Sequence, residues 1–219
     1  MGRRYSAILK NMGHEIIGFD MQNPGNYKSI EGFLNNHVLC DKNYYTAAIV
    51  CTPTKFHIDS INALTFFPTP ILCEKPISDS VEKIKIVGNT IVSMVCNWAF
   101  VLSGKILKFN DNEIHYNYYN AGSERFSNPD PCFNFAMNCI QLIYLMREGG
   151  KSYLKNTSPF FDCKINGERV TLEMVEQSYE RMLHYWLHNP KILWDMKDAA
   201  AATQRVYDYV QFNPKTINF

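Results

Sequence analysis

Two short polar segments each follow an apolar run that is typical of a buried β-strand. Thr52-Pro53-Thr54-Lys55-Phe56-His57 comes after the run Tyr45–Cys51, and Glu74-Lys75-Pro76 comes after the run Pro70–Cys73. Parallel strands end at a common edge of their sheet, and such sheets bind ligands at that edge. The spacing therefore predicts that both polar segments lie beside one ligand site.

The start of the chain carries part of a dinucleotide-binding pattern. Gly2 precedes a helical segment, Gly13 closes that segment, and Asp20 follows Gly2 by 18 residues. In the fingerprint G-x-G-x-x-G, the third glycine lets the helix pack against the strand, and an acidic residue after the second strand binds the ribose. Gly2 and Asp20 fit those two positions. An Asp that closes a strand is also a common turn residue, so this pattern alone leaves both interpretations open.

Together the segments resemble the Gfo/Idh/MocA family of nicotinamide-dependent oxidoreductases, which carry T-P-x-x-x-H and E-K-P in this order and spacing. The resemblance continues in Val95-Cys96-Asn97-Trp98-Ala99-Phe100, where the family pattern is x-x-N-Y-R-F. It is strong over residues 1–100 and looser over residues 130–210. One departure inside the last motif is Ala99, which replaces the Arg of the family.

The resemblance implies a cofactor site at the sheet edge. It places Asp20 at the adenosine ribose, which favours NAD over NADP because a 2′-phosphate would meet a carboxylate. Arg3 and Arg4 oppose that preference, since they could neutralise a phosphate. The implied cofactor-binding residues are Gly2, Arg3, Arg4, Asp20, Thr52, Pro53, Thr54, His57, Glu74, Lys75, Pro76 and Asn97.

The resemblance also implies a catalytic role for Lys75, beside the nicotinamide and the reacting carbon. There an ammonium group can polarise a carbonyl or help an alcohol to lose its proton. The alternative is an ordinary surface lysine, and the flanking Glu74 and Pro76 argue against it.

The sequence departs from the family at the helix that usually carries Asp, His and Asp at successive spacings of four and three residues. When the apolar tail of that helix is aligned, Asn134, Asn138 and Gln141 occupy the three positions. Amides at this spacing share a helix face and form hydrogen bonds, but they do not transfer a proton near pH 7. We expect these catalytic-site positions to orient the substrate. The alternative is an ordinary amphipathic helix whose register differs by one turn.

The front of the family pattern is also incomplete. Met1 stands where the middle of the fingerprint is expected, so the first strand and the first two glycines are missing. That strand is central in the sheet order 3-2-1-4-5, and without it two strand edges lose their partner. We expect a truncated member of the family, with either a translation start upstream of Met1 or another segment that fills the gap.

Apolar periodicity and turn residues predict alternating helices and strands in the first half of the chain. The predicted helices are Arg3–Met12, a short one through Phe33 and Leu34, Lys55–Phe66 and Asp79–Val87; the predicted strands are Glu15–Phe19, Tyr45–Cys51, Pro70–Cys73 and Thr90–Cys96. Such alternation predicts a parallel sheet with helices on both faces.

After about residue 97 the pattern becomes α+β. The predicted elements are a strand over Glu113–Tyr119, a helix over Phe133–Arg147 closed by Gly149-Gly150, a hairpin within Phe160–Leu172 that turns at Asn166-Gly167, and helices over Leu172–His188 and Asp195–Tyr209. We therefore predict an α/β protein with two domains. Residues 1–98 form a Rossmann-like, doubly wound parallel sheet that is incomplete at the N-terminus, and residues 99–219 form a reduced α+β domain with three to five strands.

Composition narrows the class of protein. The chain has 219 residues, of which 46% are hydrophobic and 20% are charged, as in ordinary globular proteins. A net charge of +1 argues against a nucleic-acid partner, and no stretch reaches the ~20 apolar residues that cross a membrane. Seven cysteines without a C-x-x-C pair indicate a reducing, cytoplasmic compartment. No metal site is predicted, and His184 and His188, four residues apart, are interpreted as a solvated helix end.

These observations favour hydride transfer between a nicotinamide cofactor, NAD or NADP, and a sugar, cyclitol or nucleotide-sugar. The alternative is a catalytically degenerate protein of the same fold that binds a nucleotide, a sugar or a partner. T-P-x-x-x-H and E-K-P favour the enzyme, whereas the three amides and the missing strand favour the binding protein. A substrate that takes its proton from solvent would need no His. The resemblance also implies a homo-oligomer formed through the second domain, whose sheet often makes that interface in the family.

Overall fold

The computed structural model describes residues 1–20, 32, 45–65, 69–84, 90–109, 111–118, 130–146, 153–155 and 157–212. Its helices are α1 (Gly2–Asn11), α2 (His57–Leu64), α3 (Pro131–Asn138), α4 (Ile140–Leu145), α5 (Leu172–His188) and α6 (Met196–Phe212). Its strands are β1 (Ala48–Val50), β2 (Ile71–Cys73), β3 (Val92–Met94), β4 (Ile114–Asn117), β5 (Tyr153–Lys155), β6 (Asp162–Ile165) and β7 (Glu168–Val170). The mixture of helices with a parallel and a mixed sheet confirms the predicted α/β class.

The first sheet is parallel and has the order β1-β2-β3. Val50 lies beside Cys73, and Cys73 lies beside Met94, so the three strands end in register. All residues of β2 and β3 are buried, which explains why both runs are almost wholly apolar. The segments that follow β1, β2 and β3 therefore meet at one edge of the sheet.

Helix α1 packs against this sheet through one face. Tyr5 and Leu9 are its buried residues, and their spacing of four residues places them on the same side of the helix. The helix ends in a Schellman motif, in which His14 N donates to Leu9 O and Gly13 N donates to Lys10 O. Gly13 has φ +87°, a conformation that glycine adopts readily, so the predicted helix end is confirmed.

The second sheet is mixed and has the order β5-β4-β6-β7. Strand β4 pairs parallel to β5 and antiparallel to β6, and β6 pairs antiparallel to β7. The turn between β6 and β7 contains Asn166 with φ 53° and Gly167 with φ 81°. Positive φ at two successive residues is what an Asn-Gly hairpin turn requires, and the predicted hairpin is confirmed.

The predicted helix over Phe133–Arg147 is two helices, which corrects the expectation. The chain leaves the helical path at Cys139, whose φ of −93° and ψ of 14° end α3 and precede α4. At this break the carbonyl of Asn138 accepts a hydrogen bond from Lys75 Nζ at 2.7 Å. The interruption thus coincides with a contact from another element, and no local sequence signal indicates it.

The two C-terminal helices, α5 and α6, connect the part of the structure that holds the first sheet with the part that holds the second. Helix α5 matches its predicted range, and α6 begins and ends close to its own. The segment between them returns to the first sheet, where Met94 N donates to Trp194 O at 2.6 Å and Ser93 Oγ donates to Pro190 O at 2.8 Å. The predicted division at residue 98 stays a prediction.

Glu15–Phe19 is not a strand, contrary to expectation. Ile16 packs against the core, but Ile17 is 41% exposed and Gly18 offers no side chain to pack. A strand needs a neighbour for its backbone groups, and no strand pairs with these residues in the described part of the chain.

Asp79–Val87 also differs from the prediction. It contains one 3₁₀ turn, Val81–Lys83, because Ile84 returns to an extended backbone with ψ 102°. The predicted helix through Phe33 and Leu34, together with Phe66, Val87, Tyr119, Arg147 and Gly149-Gly150, lies outside the described residues. Among the described residues, no helix is both long enough and apolar enough to pass through a membrane.

Candidate cofactor and substrate site

Three polar segments leave the carboxyl edge of the parallel sheet side by side. Thr52 follows β1 by two residues, Glu74 follows β2 directly, and Asn97 follows β3 by three residues. Two backbone hydrogen bonds continue the strand pairing, from Glu74 N to Val50 O and from Val95 N to Cys73 O, each at 2.8 Å. The edge that the sequence indicates as a ligand site therefore brings these segments together.

Glu74 is only 7% exposed, and its carboxyl group accepts hydrogen bonds from two directions. Tyr5 Oη of α1 donates to Glu74 Oε1, and the Lys75 backbone N–H donates to Glu74 Oε2 at 3.0 Å. A buried carboxylate without such donors would be costly, so these contacts account for its position. Burial, followed by the Glu74 charge, holds the pKa of Tyr5 well above its ordinary value, which keeps the phenol as a donor.

Lys75 reaches across to the second half of the structure. Its ammonium group donates to the carbonyl of Asn138 at the end of α3, at 2.7 Å. The carbonyl end of a helix carries partial negative charge, which suits an ammonium group. The same ammonium lies close enough to Cys139 to oppose the effect of burial, which raises the pKa of that thiol to about 12.

Pro76 is held by a third element. Its peptide bond with Lys75 is cis, and its carbonyl oxygen lies 2.8 Å from Nδ1 of His57, the first residue of α2. The segment Glu74-Lys75-Pro76 is thus attached to α1, α3 and α2 through one residue each. Such anchoring fixes the ammonium of Lys75 relative to the sheet edge.

His57 is buried between two loops. Its ring is 1% exposed, and Nε2 lies 2.7 Å from the carbonyl oxygen of Thr52 while Nδ1 faces Pro76. Burial lowers the pKa of His57, and the two carbonyls and the Glu74 carboxylate oppose this without cancelling it. A neutral ring donates from one nitrogen, whereas a protonated ring donates from both.

Gly2, the first residue of α1, lies against Cys51, which follows β1 directly. A Cβ added to Gly2 would lie 3.1 Å from Cys51 Sγ, which is tighter than most such contacts, so glycine lets helix and strand approach. Asp20 is exposed, and its charge acts on Cys51 together with that of Glu74. Burial is the main influence on Cys51 and raises the pKa of its thiol, against the effect of the chain's amino terminus. Gly2, Asp20 and Cys51 therefore share one corner of the sheet edge.

The two arginines of α1 lie differently. Arg3 is exposed, whereas Arg4 makes an ion pair with Glu176 of α5 at 3.0 Å and lies 4.7 Å from the centre of the Tyr179 ring. Tyr179 also contacts the ring of Tyr5 edge-on at 6.1 Å. Arg4 therefore joins α1 to α5.

Thr52, Pro53 and Thr54 form the turn between β1 and α2. Pro53 precedes the 3₁₀ turn Thr54–Phe56, in which Phe56 N donates to Pro53 O at 2.9 Å. The hydroxyl oxygen of Thr52 is buried, and within the described part of the chain it has no hydrogen-bond partner. A buried hydroxyl of this kind is suited to a ligand or a water.

Asn97 points into the protein. It is 1% exposed, and its Nδ2 donates to Ser178 Oγ of α5 at 2.9 Å. Ser178 Oγ donates in turn to Val175 O at 2.6 Å, which fixes the orientation of the amide. The Asn97 Oδ1 is buried and accepts no hydrogen bond from the described residues.

The three amide side chains of α3 and α4 have different surroundings. Asn134 is 6% exposed within α3, and Asn138 is half-buried at the end of α3, beside the carbonyl that Lys75 contacts. Gln141 of α4 is 2% exposed, and its Oε1 accepts a hydrogen bond from Trp98 N at 3.1 Å. Gln141 thus holds the turn that follows β3.

Aromatic rings surround this turn on the side of the second sheet. Trp98 contacts Tyr116 edge-on with ring centres 6.1 Å apart, and Phe161 contacts both Tyr116 and Tyr118 in the same manner. Tyr116 is 7% exposed, so the alternation of β4 serves sheet packing at that position.

The chain is similar in fold to solved structures of dehydrogenases and oxidoreductases. The WlbA (WbpB) dehydrogenase from Thermus thermophilus, in complex with NAD and α-ketoglutarate, is 13% identical with a TM-score of 0.61, over 99% of this chain and 93% of that chain. The same dehydrogenase with NAD and UDP-GlcNAcA is 12% identical with a TM-score of 0.55, over 93% and 89%. The oxidoreductase TM0312 from Thermotoga maritima is 13% identical with a TM-score of 0.55, over 91% and 89%. No family model and no curated protein matches the sequence.

The chain has the fold of these dehydrogenases. Their Gfo/Idh/MocA-type architecture confirms the resemblance drawn from the sequence motifs, at the level of the fold. Identities of 12–13% carry the fold alone, so the roles of individual residues stay predictions.

The motifs did not single out several residues of this candidate site. Tyr5 binds Glu74, Cys51 packs against Gly2, and Tyr179 with Glu176 covers α1 from α5. Only Tyr5 had a sequence signal, since its spacing from Leu9 places it on the buried face of α1. The contributions of Cys51 and α5 depend on tertiary contacts between distant parts of the chain.

Proposed function

We propose that the protein is an oxidoreductase that transfers a hydride between a nicotinamide cofactor and a small carbonyl or alcohol. The substrate class that we propose is a sugar, a cyclitol or a nucleotide-sugar. Support comes from the fold, from the three polar segments at one sheet edge, and from neighbours crystallised with NAD and with UDP-GlcNAcA.

The residues at the corner of the sheet fit a dinucleotide. Gly2 opens α1 where a Cβ would press on Cys51, and the hydroxyl of Thr52 is buried beside this turn without a partner in the described chain. Helix N-termini favour phosphate groups, because their backbone N–H groups and dipole attract negative charge. Gly2, Thr52, Pro53 and Thr54 would hold the cofactor, and Asp20 would bind its ribose.

The same corner favours NAD over NADP. The Asp20 carboxylate would repel a 2′-phosphate, and the guanidinium of Arg4 is engaged by Glu176 and Tyr179 on the other side of α1. Arg3, which is exposed, is the other arginine of α1 and could oppose this preference.

Lys75 is the proposed catalytic residue. When bound, the nicotinamide supplies or accepts the hydride. The ammonium of Lys75, fixed by the Asn138 carbonyl, would donate a hydrogen bond to the reacting oxygen of the substrate and stabilise negative charge there. Asn134 and the half-buried Asn138 are the proposed substrate contacts, and Gln141 acts on the backbone of Trp98.

One observation carries this proposal. Each residue of Glu74-Lys75-Pro76 is attached to a different helix, which fixes the one cation of the segment at the edge where parallel sheets bind ligands. A surface lysine would not require this arrangement.

A second candidate is a protein of the same fold that binds its ligand without chemistry. It is favoured by the amides at the three family positions, since Asn134, Asn138 and Gln141 offer no group that titrates near pH 7. Gln141 is moreover occupied by the N–H of Trp98.

Lys75→Met separates the two candidates. Titration with NADH, followed by nicotinamide fluorescence, should give binding in both the wild type and the variant. Turnover of a panel of nucleotide-sugars and cyclitols should fall by ~10²–10⁴-fold in the variant, the range for general acid–base help. Lys105→Met, at an exposed lysine, is the matched control and should leave both measurements unchanged.

The outcomes are distinct. A wild type that binds neither NADH nor NADPH contradicts the oxidoreductase proposal. A wild type that binds NADH but turns over no member of the panel supports the second candidate.

A further inference from the structure

The most informative contact outside the proposed chemistry is made by His57. It opens α2, and its ring lies between the loop that follows β1 and the loop that follows β2. Nε2 lies 2.7 Å from Thr52 O, and Nδ1 lies 2.8 Å from Pro76 O. The two motifs T-P-x-x-x-H and E-K-P are therefore in contact through the last residue of the first one.

This geometry leaves no ring nitrogen for a ligand. Carbonyl oxygens only accept hydrogen bonds, so each contact is a hydrogen bond when the facing nitrogen carries the proton. The ring is 1% exposed, and the sequence-based expectation that His57 lines the cofactor cleft is not what this geometry favours.

The two loops need a connection beyond the strands. The sheet pairing ends with the hydrogen bond from Glu74 N to Val50 O, before Thr52 and Pro76 are reached. Thr52 lies on the side proposed for the cofactor, and Pro76 is the neighbour of Lys75. A side chain that contacts both carbonyls therefore sets the distance between the cofactor loop and the lysine loop.

We propose that His57 is a positioning residue between these loops: the neutral ring donates one hydrogen bond, either from Nε2 to Thr52 O or from Nδ1 to Pro76 O, and packs against the other carbonyl. Its effect on catalysis rests on the proposed function, whereas its effect on the loops does not. Hydrogen exchange and kinetics therefore test the two parts separately.

Two substitutions of His57 each keep a donor for one carbonyl and remove the donor for the other. The amide nitrogen of Asn takes the place of Nδ1, so His57→Asn keeps a donor for Pro76 and loses the one for Thr52. The longer His57→Gln places its amide nitrogen near Nε2, so it keeps a donor for Thr52 and loses the one for Pro76. Asp59→Asn, an exposed position on the same helix, is the matched control.

Hydrogen exchange followed by mass spectrometry reads the loops without any cofactor. We expect faster exchange over residues 52–56 in His57→Asn if Nε2 carries the ring proton, or over residues 74–78 in His57→Gln if Nδ1 carries it, with the other loop unchanged. No change in either variant, or the same loop affected in both variants, would overturn the positioning role.

Kinetics then test the catalytic consequence. The variant that loses the hydrogen bond should show the loss, as weaker NADH binding in His57→Asn or as a lower turnover number at saturating NADH in His57→Gln, by about 2- to 10-fold for one lost hydrogen bond. Equal losses of binding and turnover in both variants would overturn a positioning role. Absence of NADH binding in the wild type would contradict the proposed function while the exchange pattern still decides the positioning role.

One measurement requires no variant. In a ¹⁵N spectrum of the wild-type histidine rings, we expect a His57 ring N–H that exchanges slowly with solvent, because the ring is buried against two acceptors. A His57 ring without any slowly exchanging N–H would overturn the positioning role, even where both variants fail to fold.

Discussion

The sheet edge and the helix pair, which face each other across Lys75, use polar side chains in opposite ways. At the sheet edge, the carboxyl group of Glu74 accepts from Tyr5 of α1, and the ammonium group of Lys75 donates to Asn138 O of α3. The helix pair α3–α4 carries the amides of Asn134, Asn138 and Gln141. The difference indicates that one wall carries charge and the other supplies neutral hydrogen bonds.

Burial explains why the two walls are built differently. A buried carboxylate such as Glu74 is stable only when several donors reach it, which requires contributions from distant elements. A buried amide such as Gln141 needs far less, and one backbone N–H satisfies its oxygen. The carboxyl group of Glu74 and the ammonium group of Lys75 therefore lie at the sheet edge, and the three amides lie in the helix pair.

Asn138→His gives the largest expected effect, because it would place a titratable group in the neutral wall. Asn138 is half-buried next to the carbonyl that binds Lys75, so an imidazole there would lie close to the proposed reacting oxygen. Turnover of the nucleotide-sugar panel should rise by ~10²-fold, the lower end of general acid–base help, and should become dependent on pH between about 5 and 8.

Asn62→His, on the exposed surface of α2, is the matched control for this gain. The control should not change turnover. If Asn138→His binds NADH but its turnover does not rise, the helix pair does not face the substrate. The difference between the charged wall and the neutral wall would then have no role in catalysis.

Tyr5→Phe tests the charged wall and has the next largest effect. The change removes the donor to Glu74 Oε1 and leaves a buried carboxylate with fewer partners. We expect the free energy of unfolding to fall by about 1.5–3 kcal/mol, as for hydrogen bonds to charged groups. Turnover should fall as well, because Glu74 Oε2 accepts the backbone N–H of Lys75.

Tyr185→Phe provides the comparison for Tyr5→Phe. Tyr185 is 44% exposed, and its ring contact with Phe100 survives the loss of the hydroxyl. Urea denaturation measures both stabilities. Equal stability of Tyr5→Phe and the wild type would show that Glu74 does not depend on α1.

Local patterns were sufficient for much of the fold. The apolar runs before Thr52 and Glu74 predict parallel strands because both faces of such strands are buried. The Asn166-Gly167 turn and the glycine that ends α1 are set by backbone conformations that few other residues adopt. These features depend on the residues themselves, and the structure confirms them.

Features that depend on distant partners could not be predicted. Glu15–Phe19 has strand-like residues but no neighbouring strand in the described chain, and the break at Cys139 coincides with a contact from Lys75. The motif identified His57 as a site residue, yet its burial between two carbonyls follows only from the packing of α2. Long-range contacts, rather than local propensity, decided each of these cases.

Gln141→Met has the smallest expected effect on function, and it tests whether the side chain of Gln141 contacts the substrate. Met has nearly the volume of Gln but its thioether is only a weak acceptor, so the buried hydrogen bond from the Trp98 N–H to an amide oxygen would be lost. The free energy of unfolding should fall by about 1–3 kcal/mol for an unsatisfied buried donor, while NADH affinity and the turnover number stay unchanged. Gln211→Met, at an exposed position near the end of α6, should change neither stability nor turnover. If Gln141→Met instead lowers turnover while stability is maintained, Gln141 contacts the substrate, and the helix wall has a direct part in the chemistry.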